Sequence, residues 1–101
     1  MNSTYKTCQE VKDYFYMNGI FFDSIKYNKH NKFFTAATKF SQDIWHKPIY
    51  VIAELMQRVL PDTKIVETSV IRTPNLKFTF YKIVFKLSTR DKKLFKEMNN
   101  V

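Results

Sequence analysis

Leu76 to Leu87 is the stretch that most limits what this chain can fold into. It reads Leu-Lys-Phe-Thr-Phe-Tyr-Lys-Ile-Val-Phe-Lys-Leu, with neither glycine nor proline. β-Branched and aromatic residues favour the pleated strand, and at roughly 3.3 Å per residue such a run extends for about 40 Å. A strand this apolar with a bare edge would template pairing with other chains. It therefore belongs in the middle of a sheet or in a subunit interface. Alternate residues of a strand face opposite sides. One face carries Tyr81, Ile83, Phe85 and Leu87; the other carries Phe78, Phe80, Lys82, Val84 and Lys86.

The remaining elements follow from local signals. Lys64 to Arg72 reads as the strand before it, and Thr73-Pro74-Asn75 as the tight turn between them, with proline set for the first corner. Ile20 to Tyr27 and Lys32 to Phe40 read as an earlier hairpin around the turn residues Asn28-Lys29-His30-Asn31. Thr7 to Asn18 has a helical stripe of Cys8, Val11, Tyr14 and Phe15, and Thr7 with Glu10 forms a capping box. Gly19, the only glycine, follows as a C-terminal cap that requires positive φ. Pro48 suits the first turn of a second helix whose apolar face is Ile52, Leu55, Met56 and Val59, stopped by Pro61-Asp62. Ser88 to Met98 closes the chain as a basic amphipathic turn or short helix, with Ser88 and Asp91 as a second capping box.

These elements predict an α+β single domain spanning residues 1–101. The order is αββαββ plus a short C-terminal helix, with an antiparallel-rich four-stranded sheet and two helices on one face. The order can also be read as two αββ units, 7–40 and 48–87. At 101 residues, 45% of them hydrophobic, one core suffices without disulfides or metal.

Cys8 is the single cysteine, so no internal disulfide forms, and Cys8, His30 and His46 do not make a zinc set. The polar start, Met1-Asn2-Ser3-Thr4-Tyr5-Lys6, carries no signal-peptide pattern. The apolar runs fall far short of the ~20 residues of a membrane helix. The expectation is an intracellular, cytoplasmic protein of a reducing compartment that does not partner a membrane.

Enzyme signatures are missing, and no cofactor is expected. One glycine cannot build a phosphate loop. Pro61-Asp62 with Glu67-Thr68-Ser69 has the acidic half of a metal-dependent nuclease pattern, but Ser69 stands where the lysine belongs. Asp43, Trp45 and His46 place a histidine beside a carboxylate, yet capping, core cover and solvation account for them better. His30 reads as an exposed turn residue and Cys8 as a buried structural thiol. The expectation is no enzyme, no catalytic residue and no metal.

Net charge is +8, from 17 basic and 9 acidic residues. Such a field attracts polyanions. Lys, Phe, Ile, Asn, Tyr and Met fill about half the chain, a set encoded by A/T-rich codons. Codon bias therefore accounts for part of the lysine surplus and suggests a phage or mobile element, with the host cytoplasm as location.

If Tyr81, Ile83, Phe85 and Leu87 face the helices, then Phe78, Phe80, Lys82 and Lys86 form an open platform for DNA or RNA. Rings stack on bases and lysines hold phosphates. Arg90, Lys92, Lys93 and Lys96 add a second basic contact, and Lys26, Lys29, Lys32 and Lys39 of the first hairpin are available to join. Three arrangements compete with the platform. A bulge near Lys82 would turn Phe78 and Phe80 into the core. The face would otherwise pair with a second copy in a homodimer. As a further alternative, it would hold a host protein, an acidic one, whose action the chain modulates. The primary expectation is a non-enzymatic nucleic-acid-binding protein.

Overall fold

The computed structural model describes residues 3–41, 48–73 and 78–99, without the side chains of 3–5, 39–41, 78 and 95–99. Along the chain lie α1 (Ser3–Met17), β1 (Ser24–Asn28), β2 (Phe33–Ser41), α2 (Ile49–Val59), β3 (Lys64–Thr73), β4 (Phe78–Lys86) and α3 (Thr89–Asn99). The strands make one antiparallel sheet in the order β1-β2-β4-β3. This is the α+β architecture expected of the sequence. β4, the most apolar strand, is interior, hydrogen-bonded to β2 on one side and β3 on the other. The two αββ halves thus share one sheet.

α1 starts at Ser3, so Thr7 and Glu10 lie within the helix and do not cap it. No proline or glycine precedes Thr7 to stop the helix there. Its end matches expectation. Gly19 sits at φ +83°, the Gly19 N–H donates to the Tyr16 carbonyl at 3.1 Å, and the Ile20 N–H donates to the Phe15 carbonyl at 2.9 Å. This paired closure is a Schellman motif, which brings Ile20 back against Phe15; both are buried.

That motif explains why β1 is shorter than its sequence suggests. Ile20 and Phe22 are buried, and Phe22 meets Phe15 edge-to-face at 5.6 Å. The segment is therefore held by α1, and strand pairing begins only at Ser24↔Ala37. The hairpin loop is shifted by one residue to Lys29–Lys32, because Asn28 pairs with Phe33. Lys32 takes the left-handed conformation at φ 62°, its N–H donating to the Asn28 carbonyl at 2.8 Å. Side chains brace the turn: Asn28 Oδ1 accepts from the His30 N–H and Asn31 Oδ1 from the Phe33 N–H.

Pro48 stands one position before α2 as its N-cap, with extended backbone. Ile52 and Met56 are buried and Leu55 and Val59 half-buried, as the helical spacing predicts. The helices pack on the sheet face bearing Ile25, Phe34, Ala36, Ile83 and Phe85, in one core with Val11, Phe15, Ile52, Met56 and Leu60. Phe85 stacks on Phe34 at 5.5 Å and meets Phe15 edge-to-face at 6.0 Å. Among the described residues no helix is long and apolar enough to cross a membrane.

α3 departs from its expected capping box. Ser88 Oγ accepts the Asp91 N–H at 3.0 Å, but the Asp91 carboxylate turns away from its own helix. It accepts from the Thr63 hydroxyl at 3.1 Å and the Asp62 N–H at 3.3 Å. The turn Thr73-Pro74-Asn75 and the strand start Leu76-Lys77 fall, from Pro74 on, outside the described residues.

Candidate nucleic-acid interface

The side of the sheet opposite the core is where the candidate residues gather. β4 runs without a bulge: its register with β2 is continuous from Phe34↔Phe85 to Ser41↔Phe78. Ile83 and Phe85 are fully buried, so Phe80, Lys82, Val84 and Lys86 point the other way. A bulge does occur, but on β3, between Ile65 and Glu67. The arrangement in which a break near Lys82 sends Phe80 inward is therefore not the one adopted.

Cross-strand registers define what surrounds these residues. One row across the face is Lys26, Thr35, Val84 and Glu67; the next is Ser24, Ala37, Lys82 and Ser69; in a third, Phe80 lies opposite Ile71. Short side chains on β1 and β2 beside the bulkier Phe80 and Ile71 leave a trough of about 500 Å³. Ser24, Lys26, Thr35, Ala37, Ile71, Phe80 and Lys82 line it. Phe80 is half-buried and Ile71 is 53% exposed.

Charge on this face is one-sided. Lys26, Lys64, Lys82 and Lys86 are exposed. Glu67 is the acidic residue that the described strands place among them, and its carboxylate accepts from the nearby Ser69 hydroxyl at 3.5 Å. An aromatic ring and an aliphatic side chain flanked by cations and short polar groups suit a ligand that is both planar and anionic.

The structure gathers Phe80, Lys82 and Lys86 as the alternation predicts. Phe78 pairs through its backbone with Ser41 and Thr73; its side chain lies outside the described residues, as does that of Lys96. Arg90, Lys92 and Lys93 do not join the face. α3 packs on α1 in the helix layer, where Arg90 pairs with Asp62 at 3.5 Å. Lys26 joins the face, whereas Lys29 and Lys32 sit in the hairpin loop. Ser24, Ala37, Ile71 and Lys64 carry no mark in the sequence, because only strand register brings them onto the face shared with Phe80 and Lys82.

Asp43, Trp45 and His46 lie outside the described residues. Asp62 pairs with Arg90 and Glu67 with Ser69, and the described residues hold no cluster of three His, Cys, Asp or Glu side chains suited to a metal. His30 is exposed in its turn. Cys8 is buried, and that burial pushes its thiol pKa above the ordinary value.

No protein-family model matches the chain, and no curated protein or solved structure matches it either.

Proposed function

We propose that the protein binds single-stranded nucleic acid on the open face of its sheet and performs no chemistry on it. The observation that carries this reading is the trough beside Phe80, lined by Lys26 and Lys82 and floored by Ala37. An unpaired base lies against Phe80 with Ile71 beside it, and Lys82 and Lys26 meet the flanking phosphates. Stacking on an aromatic ring contributes about 1–3 kcal/mol per base and tolerates any sequence. A base within a duplex has its faces covered by its neighbours, so single strands are preferred. The basic residues of α3 strengthen the long-range field without touching the bound strand.

The test is fluorescence anisotropy with single-stranded DNA, single-stranded RNA and duplex of one sequence, from about 50 to 300 mM salt, the range where counterion release is visible. The expected result is binding that favours single strands and weakens along a linear log–log salt slope. Equal affinity for duplex would remove the stacking mechanism, and no binding at the lowest salt would remove the reading.

A second reading, a protein-interaction module, rests on a different patch. Tyr16 and Met17 at the end of α1 are 64% and 61% exposed, and Phe21 beside them 48%. Tyr16 and Phe21 meet edge-to-face at 4.9 Å. Exposed aromatics grouped this way mark protein contacts. Sedimentation equilibrium of wild type and Tyr16→Ser/Phe21→Ser tests self-association through it; a monomer at every concentration would count against the homodimer form of this reading.

A further inference from the structure

Lys64 and Lys86 stand directly opposite each other at the end of the β3–β4 ladder. Both are exposed, and among the described residues neither makes an ion pair. Like charges in that position oppose strand pairing. The opposition is produced by one residue. With Glu67 opposite Val84, uninterrupted pairing would put Ile65 opposite Lys86 on the open face and turn Lys64 toward the core. The bulge at Val66 shifts the count by one, so that Ile65 meets Phe85 inside and Lys64 meets Lys86 outside. Glu67, the next open-face residue of β3, pairs with Val84 and is occupied locally by Ser69.

We infer that Lys64 and Lys86 form a phosphate clamp, an anion site that anchors the strand bound at Phe80. This rests on the nucleic-acid reading above and gives it a direction. Lys86 lies four residues beyond Lys82 along β4, about 13 Å at strand spacing. The nucleic acid therefore follows β4 from the trough toward its C-terminal end, with one backbone phosphate held between the two ammonium groups. A bound phosphate bridges the two like charges that the register sets opposite each other.

The experiment measures the anisotropy salt slope of a single-stranded oligothymidylate on wild type, Lys64→Gln/Lys86→Gln, and Lys29→Gln as a loop-charge control. The double variant is expected to flatten the slope by about 0.7 per lost phosphate contact, with Lys29→Gln unchanged. Wild type that binds with the same slope as the double variant would overturn the clamp while leaving the nucleic-acid reading standing. Wild type that does not bind would overturn both. Lys64→Glu, melted without nucleic acid, gives an independent readout. Replacing repulsion by attraction should raise Tm by a few degrees, on the order expected for a cross-strand pair in a domain this size, while weakening binding. A lowered or unchanged Tm would remove the premise of the clamp.

Discussion

The Thr63 hydroxyl donates a 3.1 Å hydrogen bond to the Asp91 carboxylate across 28 positions of sequence, and both residues are buried. The contact ties the first turn of α3 to the turn that leads from α2 into β3, and the Asp62 N–H adds a second donor to the same carboxylate.

Replacing Asp91 by alanine should therefore cost more than a surface change. Two donors lose their acceptor, and an unsatisfied buried polar group costs about 1–3 kcal/mol. Asp91→Asn, which keeps an acceptor oxygen, should lose less. Urea denaturation of the two variants checks the order; equal stability would show that α3 is docked by other contacts.

Among the described residues two backbone positions adopt positive φ, and only one is a glycine. Gly19→Ala meets no atom within 4 Å of the new Cβ, so its penalty is conformational, about 1–2 kcal/mol. Lys32 already bears such a penalty at φ 62°, and Lys32→Gly should stabilise by up to about 1 kcal/mol. Thermal melts should move in opposite directions for the two variants.

Phe80 and Phe85 lie five positions apart on one strand and on opposite faces, so their substitutions should separate binding from stability. Phe85→Ala opens a cavity against Phe15 and Phe34 and should cost about 3–5 kcal/mol. Phe80→Ala should change stability far less but lose about 1–3 kcal/mol of single-strand affinity. Denaturation and anisotropy on the same preparations test this; an unchanged affinity for Phe80→Ala would rule out stacking there.

Burial raises the Cys8 thiol pKa above its ordinary value because it disfavours the thiolate. The unfolded chain then ionises first as pH rises. The contribution to stability is complete below the ordinary thiol range of about 8.5, and is lost as pH rises through the folded value. The stability gap between wild type and Cys8→Ala should accordingly narrow from pH 8 to pH 10. A thiol reagent should label the folded protein slowly and the urea-unfolded chain fast.

By itself the sequence determined the features that depend on neighbours along the chain. The alternation of β4 separates Ile83 and Phe85 from Phe80, Lys82 and Lys86 because strand geometry repeats every two residues. The apolar density of that segment restricts it to the middle of a sheet or a subunit interface, and the strand order puts it in the middle. Gly19 ends α1 because the conformation there is costly to any other residue. What depended on contacts between distant segments was decided only by the tertiary structure. Ile20 and Phe22 resemble strand residues, but Phe15 takes them into the core, and β1 begins later. Ser88 and Asp91 have capping-box spacing, but Thr63 and Asp62 offer the carboxylate better donors. Val66 carries no mark of a bulge; it is extruded so that Ile65 can bury against Phe85, and Lys64 is thereby brought opposite Lys86. The basic run after Leu87 appears continuous with the lysines of β4, yet the chain crosses to the helix layer at that point. Register and packing are set by which apolar groups can be buried together, and local spacing does not record that.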